Sequence, residues 1–463
     1  MHFLPYLTAI LLGQSPAAEL SRAVADCETL SVTERTSVRY LSLYALPVDR
    51  RAEGFAIASF VLNSLSRTRL IVAPRMLDDS LLRFTIADYT ANDTEFKEWS
   101  TAWDELAKLD PYWHIRTEVI AKPANLRPDP KPTDLKQVAV KQVTVDGGWV
   151  GLENAAKLKL LTGSQGALLR AEWFVEQATQ PPAHYQFAGV PDTESAWLTS
   201  LGVDAKAIDK LRANLGANLI QSQVTNKPRR VIWQQGPLGG VYATLDVEVV
   251  TADRDFVRRP ISADGFQAAF DASEWFAMAP NGLWRTALFD KNGKRQDAVP
   301  DKIAKDTSDP RGDGRVIPLI SCIRCHTESG LRPFRDDQTT LLKDGVSLYS
   351  LKPEVIQRAT EFYQEPRLQR QMKFDRETYS VAAAAATGGI EPEEISTSLG
   401  NVVRNHAYLP VTLEQAAREL GLAPEIAAHR FRTSRDPILL ILSAGRPALR
   451  KQWESSFAEA SVK

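Results

Sequence analysis

The sequence predicts an α+β fold, and three observations carry that prediction. Apolar residues recur at helical spacing through Ser37 to Leu46 and Arg51 to Leu65. From about Val224 to Arg295 the chain is rich in β-formers, among them Val231, Trp233, Tyr242, Leu245 and Val247 to Val250. From Pro353 onward the pattern is helical again. A helical N-terminal region, a β-rich middle and a mainly α C-terminal region follow.

At the N-terminus, Phe3 to Gly13 is an apolar stretch of signal-peptide length, too short to cross a bilayer as a helix. Ser15 and Ala17 suit the minus-three and minus-one positions of a cleavage site before Ala18, so residues 1–17 read as a signal peptide. Its n-region offers only the α-amino group and His2, and the competing reading is a buried N-terminal helix. No later segment reaches the roughly 18 uncharged apolar residues of a spanning helix, so no transmembrane segment is expected. Cys27 follows Asp26 rather than the small residue of a lipoprotein site, and reads as a lone structural or free thiol.

Beyond the leader, Pro47 interrupts the first helical pattern. Leu82, Phe84 and Ile86 alternate with polar neighbours as in a half-buried strand, and Glu98 to Leu109 is helical again. Lys122 to Asp134 holds four prolines and few apolar residues, the composition of a linker. Ala167 to Ala178 reads as an amphipathic helix stopped by Pro181 and Pro182. Gly236 to Gly240 breaks the β-rich part, and Asn292-Gly293 suits a hairpin turn. Val381 to Ala386 should end at Gly388-Gly389, and Thr412 with Gln415 forms a capping box. The expected regions are 18–134 with the linker at 122–134, 135–300 with its β-rich part at 224–295, and 301–463.

At 463 residues the chain exceeds one ordinary core, so two or three packed units are expected. Hydrophobic residues at 44% and charged residues at 24% exclude a disordered chain. With 56 basic against 57 acidic residues, no strong field exists to steer nucleic acid or an anionic membrane. Three cysteines cannot make a disulfide scaffold.

Two of those cysteines carry the chemistry. Cys322, Cys325 and His326 form C-x-x-C-H, the attachment signature of c-type haem. Two thiols one helical turn apart add across the two vinyl groups of the porphyrin, and the adjacent imidazole becomes the proximal iron ligand. A zinc site would need a second ligand pair, and His406 and His429 are too sparse for one. A thioredoxin-like pair would want a βαβ context, and a plain disulfide leaves His326 unexplained. One covalent haem c is therefore expected, in a protein exported to the periplasm or beyond by a bacterium.

The sixth iron ligand governs what such a site does. Met372, 46 residues after His326, is the first candidate, set against an ordinary helix residue. His406 is the runner-up, set against a loop histidine bonding backbone. Met278 reads as strand core. Lys227 to Arg230 reads as a solvated basic patch, Arg311 to Asp313 as a charged turn, and His114 and His184 as satisfied core residues. Gly236 to Gly240 lacks the Lys-Ser/Thr of a phosphate loop.

The stretch SCIRCHTESGLRPFRDD resembles the haem-binding segment of c-type cytochrome domains, with Gly330 and Pro333 at familiar positions after the motif. RYLSLYALP, FVLNSLSRTRLIVAP, LLRAEWFVEQATQPP, APNGLWRTALFDKNGKRQDAVPDKIAKDT and VTLEQAARELGL extend the resemblance to a family of exported bacterial cytochrome c domain proteins without an assigned reaction. The chain departs from it at PPAHYQF, where members often have Tyr-His after the double proline. The resemblance implies Cys322 and Cys325 as thioether positions and His326 as the iron ligand. The leading expectation is a monohaem cytochrome passing electrons to a redox partner protein. The alternatives are a haem-dependent oxidoreductase and a haem protein with a sensory or structural role.

Overall fold

The structure, a computed structural model, describes residues 16–112, 152–203, 215–222, 224–251, 254–256, 269–306, 309, 313–326, 331, 336–338 and 353–462. Residues 1–15 of the expected leader, the expected linker at 122–134, His114, Arg311, Gly330 and Pro333 lie outside the described residues.

The chain begins with α1 (Pro16–Glu28) and α2 (Val32–Ser37), the latter opened by a reciprocal capping box between Ser31 and Glu34. Strand β1 (Val38–Ser42) follows where helical spacing predicts a helix. The physical reason is burial: all five residues are buried, polar Arg39 and Ser42 among them, so residue polarity does not mark the faces of this short strand. It lies inside a four-stranded sheet of order β2-β3-β1-β4, with β2 (Arg75–Met76), β3 (Leu81–Thr85) and β4 (Leu168–Arg170). β1 runs antiparallel to β3 and parallel to β4. The helix expected over Ala167 to Ala178 is thus split, because Leu168 to Arg170 pair with Tyr40 to Ser42. Only α6 (Ala171–Ala178) remains helical.

Leu20, Ala23 and Val24 of α1 and Leu158 of α5 (Leu152–Thr162) cover one face of this sheet, together with the buried, free Cys27. The other face meets α3 (Arg51–Ser64), α4 (Asp93–Ala107), α6 and α7 (Ala183–Ala188) in the largest core.

The second sheet is an antiparallel meander of β5 (Leu215–Leu219), β6 (Arg229–Gln235), β7 (Gly240–Asp246), β8 (Ala272–Met278) and β9 (Trp284–Asp290). Gly236 N–H donates to Gly239 O at 2.9 Å and closes the β6–β7 turn. The Asn292-Gly293 turn forms with Gly293 at φ 71°, but beyond it Arg295 makes only an isolated bridge to Phe289. Trp233, Tyr242, Phe276 and Thr286 stand in one row across β6 to β9. By strand alternation that row shares a face, and Trp233, Tyr242 and Phe276 belong to the largest core. Ile232, Val241, Ala243, Trp275 and Ala277 take the opposite face, packed with Trp197 of α8 (Glu194–Ser200) and Phe362 of α10 (Pro353–Phe362).

Helices complete the chain: α9 (Ile320–His326), α10, α11 (Glu365–Thr387), α12 (Pro392–Val403), α13 (Leu413–Leu420), α14 (Pro424–Arg432), α15 (Pro437–Ser443) and α16 (Arg450–Val462). Gly388, at φ 71°, ends α11 as the glycine pair predicts. Thr412 accepts from Gln415 N–H and opens α13. The largest core runs from Leu41 to Ala460 and so joins residues of all three expected regions. Among the described residues no helix is long and apolar enough to cross a membrane.

Candidate functional site

The motif helix α9 sits on the Trp233–Thr286 face of the second sheet. Its entry is held by Leu319, whose φ of 65° is unusual for a residue with a side chain. Leu319 N–H donates to Thr286 Oγ1 at 3.1 Å, and Ser321 Oγ accepts from Ile317 N–H at 3.0 Å. Such a backbone costs about 1–3 kcal/mol and persists only where its surroundings impose it. At the other end, Arg324 Nη1 pairs with Asp306 at 3.0 Å and Asp309 at 3.3 Å, while Ser396 of α12 donates to Arg324 O at 2.9 Å. Both ends of the motif are thereby tied to the surrounding protein.

Spacing on α9 puts Cys322, Cys325 and His326 on one helix face. Cys322 is buried, whereas Cys325 and His326 are half-buried. The His326 ring meets Phe276 edge-on with centroids 4.9 Å apart. Cys322 and His326 share a small cavity of about 10 Å³ with Phe60, Ser64, Phe276, Trp284, Thr286, Leu319, Ile323 and Tyr379. Its walls are mostly apolar or aromatic, the surroundings a ligand pocket usually has.

Behind Cys322 lies a short chain of charge. The thiol donates to Glu274 Oε1 at 3.7 Å, Glu274 Oε2 stands 3.3 Å from Arg229 Nη2, and Arg229 grips Asp246 with bonds of 2.6 and 2.8 Å. Burial, with the Glu274 charge second, pushes the Cys322 thiol well above its ordinary range. Burial also raises Glu274, against the pull of Arg229. Burial opposes the charge on Arg229, but Asp246 and Glu274 overcome it and hold the guanidinium ionised. Cys322 is therefore a neutral thiol and a poor nucleophile, unlike the lowered thiolates of redox pairs.

The donor set suits haem c in its chemistry, with two thiols at the attachment spacing and an imidazole beside them. At about 10 Å³ the cavity has room for about one water molecule, so this space does not hold a porphyrin.

The two candidate distal ligands stand elsewhere. Met372 is buried on the inner side of α11, seven positions before Tyr379, about 10 Å along the helix axis from that cavity residue. His406 is buried in a π-helical turn, Arg404–Tyr408, after α12. Its Nδ1 lies 3.9 Å from Glu172 and its Nε2 4.0 Å from Glu454. Burial, then Arg450 and Arg170, push His406 well below the ordinary imidazole range. It belongs to a buried ion cluster in which Glu419 bridges Arg170 at 3.0 Å and Arg450 at 2.8 Å, and accepts from Trp453 Nε1 at 2.8 Å. Neither residue lines the cavity beside His326.

Two sequence readings need correction. Lys227 to Arg230 is not a solvated patch, because Arg229 is 8% and Arg230 1% exposed. Arg229 shares the inner strand face with Val231 and Trp233, and alternation could have shown that. His184 is buried as expected, but its Nδ1 has no hydrogen-bond partner among the described residues, so it is not a satisfied core histidine there. Glu274 and the Glu419 cluster carried no local sequence signal.

Fold and site together define a mixed α and β protein whose five-stranded sheet carries a C-x-x-C-H helix against an aromatic cavity. No protein-family model, curated protein or solved structure matches the chain.

Proposed function

We propose that the chain is a monohaem c-type cytochrome that passes single electrons to a redox partner protein in the periplasm of a bacterium. The observation that carries this reading is the convergence of Cys322, Cys325 and His326 on one turn of α9, with Cys322 and His326 lining an aromatic cavity. Cys322 and Cys325 would hold the porphyrin through thioethers, and His326 would ligate iron. Bound there, haem c supplies a one-electron iron couple. The protein contributes apolar walls, and it contributes Glu274 and Arg229, whose charges beside the site tune a potential through the local field.

A second reading, a haem-dependent oxidoreductase with an open iron position, is favoured by the placement of Met372 and His406 away from the cavity. One experiment separates the two. The full chain is secreted from a host with haem-attachment machinery, stained for covalent haem on a denaturing gel, and examined by visible spectroscopy with and without carbon monoxide. Covalent haem indifferent to carbon monoxide supports the carrier, and ready binding supports the oxidoreductase. A gel without haem stain sinks both.

A further inference from the structure

We propose that the cleft between α4 and the segment after α7 binds a small molecule carrying two or more oxyanion groups, an organic phosphate or a polycarboxylate, through Arg67, Lys97 and Arg295. The cleft shares no lining residue with the Cys322–His326 cavity, and the proposal does not depend on the haem reading.

The cleft holds about 670 Å³, within the roughly 300–1,000 Å³ of small-molecule sites. Lys97, Glu98 and Thr101 line it from one face of α4, and Gly189 to Asp192 with Arg295 complete it. Arg67 joins these parts, because it pairs with Glu98 and also donates to the end of α7. Among the lining residues three cations, Arg67, Lys97 and Arg295, meet two carboxylates, Glu98 and Asp192.

The guanidiniums are the fixed part of the cleft. Arg67 Nε donates to Phe187 O at 2.9 Å and its Nη2 to Gln186 O at 2.8 Å. The last carbonyls of a helix lack partners within it and carry the negative end of its dipole, so α7 holds this cation by charge as well. Arg285 Nη2 takes the next carbonyl, Ala188 O, at 2.8 Å, and Arg295 Nη1 donates to Val190 O. Gly189, at φ 64°, permits the approach, because a Cβ there would stand 2.7 Å from Arg67 Cζ. Arg295 also lies over the Tyr185 ring, 4.7 Å from its centroid. The buried neighbours register this concentration of positive charge. Burial, then Arg285 and Arg295, push His184 down to about 3, and burial, then Arg67, push Arg285 down to about 10.

The carboxylates are the loose part. Arg67 pairs with Glu98, and Arg295 pairs with Asp192 at 2.6 Å, but the Glu98 side chain is 54% and the Asp192 side chain 86% exposed. Exposed ion pairs contribute little, so either carboxylate can turn into water and leave its guanidinium to a ligand. A guanidinium has five N–H donors, and the backbone anchors use two in Arg67 and one in Arg295, which leaves donors for an oxyanion in the carboxylate's place. A singly charged anion would only exchange one carboxylate for another. The anchors of the two arginines fall within Gln186 to Val190, so one small molecule with two linked oxyanions can replace both carboxylates, the second as an intramolecular step. Lys97, whose ammonium has no ion pair among the described residues, adds a third charge from α4.

The test is isothermal titration calorimetry of the full chain at low salt with inorganic pyrophosphate, with citrate, and with acetate as the singly charged control. Expected is binding of pyrophosphate or citrate that weakens with added salt, and acetate binding at least about tenfold weaker. The tighter of the two assigns the site to phosphates or to carboxylates. Asp192→Asn and Glu98→Gln, both at exposed side chains, should tighten binding about twofold or more, because each removes a competitor. Lys97→Gln should weaken it by about the same factor, and Arg295→Gln by about tenfold or more. Arg295→Gln also gives up Val190 O, so its circular dichroism must match the parent's, and if it does not, the three exposed substitutions decide. Failure of both pyrophosphate and citrate to bind overturns the site. Binding that Asp192→Asn, Glu98→Gln and Lys97→Gln all leave unchanged overturns it as well, whatever the haem stain shows.

Discussion

Cys322 Sγ donates to Glu274 Oε1 across 3.7 Å, joining the motif helix to the middle of strand β8. The contact lies at the end of the Asp246–Arg229–Glu274 chain, so the carboxylate is itself held in place. In a chain made without haem-attachment machinery, burial and Glu274 keep this thiol neutral. Cys325 is half-exposed on the same helix. Labelling with a maleimide, followed by mass spectrometry, should modify Cys325 at least about ten times faster than Cys322. Equal rates would mean that α9 does not pack against β8 as described.

The Glu419 carboxylate lies between two buried guanidiniums and is 2% exposed. Burial alone would raise its pKa, but Arg170 and Arg450 hold it well below the usual carboxylate range. Glu419→Ala leaves both cations without that partner in the interior. Loss of one partner from a buried ion set costs about 3–5 kcal/mol. Urea unfolding followed by circular dichroism should show a loss of that order, and a loss under about 1 kcal/mol would place these side chains in water rather than in the core.

Asp110 is fully buried, and its Oδ1 accepts from Tyr112 N–H at 2.8 Å while Oδ2 has no partner among the described residues. Burial lifts its pKa from 3.8 to about 8, against that hydrogen bond and the Arg170 charge. The folded chain therefore keeps a proton that the unfolded chain releases, and stability falls as pH rises from about 4 to 8. Asp110→Asn keeps the acceptor and removes the titration. It should match the parent near pH 4 and exceed it by about 1–4 kcal/mol near pH 8.5, read from urea midpoints at each pH. A parent that gains stability relative to the variant as pH rises would show the opposite sign and refute the burial of this carboxyl.

Much of this architecture is legible from local pattern, and the exceptions share a cause. Alternation at Leu82 and Phe84 marks β3, and β-formers such as Val231, Trp233, Tyr242 and Leu245 mark β6 and β7 even though both faces of those strands are buried. β1 escapes because polar Arg39 and Ser42 are buried together with Val38, Tyr40 and Leu41, so residue polarity does not mark the strand's faces. The C-x-x-C-H motif is legible because its chemistry demands neighbours in sequence. Glu274 stands 48 positions from Cys322, and Glu419 stands 249 from Arg170, so their partnerships exist only through tertiary packing. Arg229 misleads for a related reason: a buried arginine looks like a surface one until Asp246 is placed across from it.

The same separation bears on Met372, which its distance along the chain from His326 makes a candidate iron ligand. The thioether is 2% exposed, in the largest core with Leu368 and Tyr379. It lies about two helical turns from the cavity residue Tyr379, beyond the span of one side chain. Met372→Leu conserves volume and apolar character, so it should cost less than about 1.5 kcal/mol. If the packing around α11 is as described, the haem-loaded variant should keep the parent's visible spectrum in both oxidation states, including its response to carbon monoxide. His326→Ala should change that spectrum while Cys322 and Cys325 still retain haem on a denaturing gel. A Met372→Leu spectrum that turns high-spin would instead show that α11 moves to put its sulfur on iron.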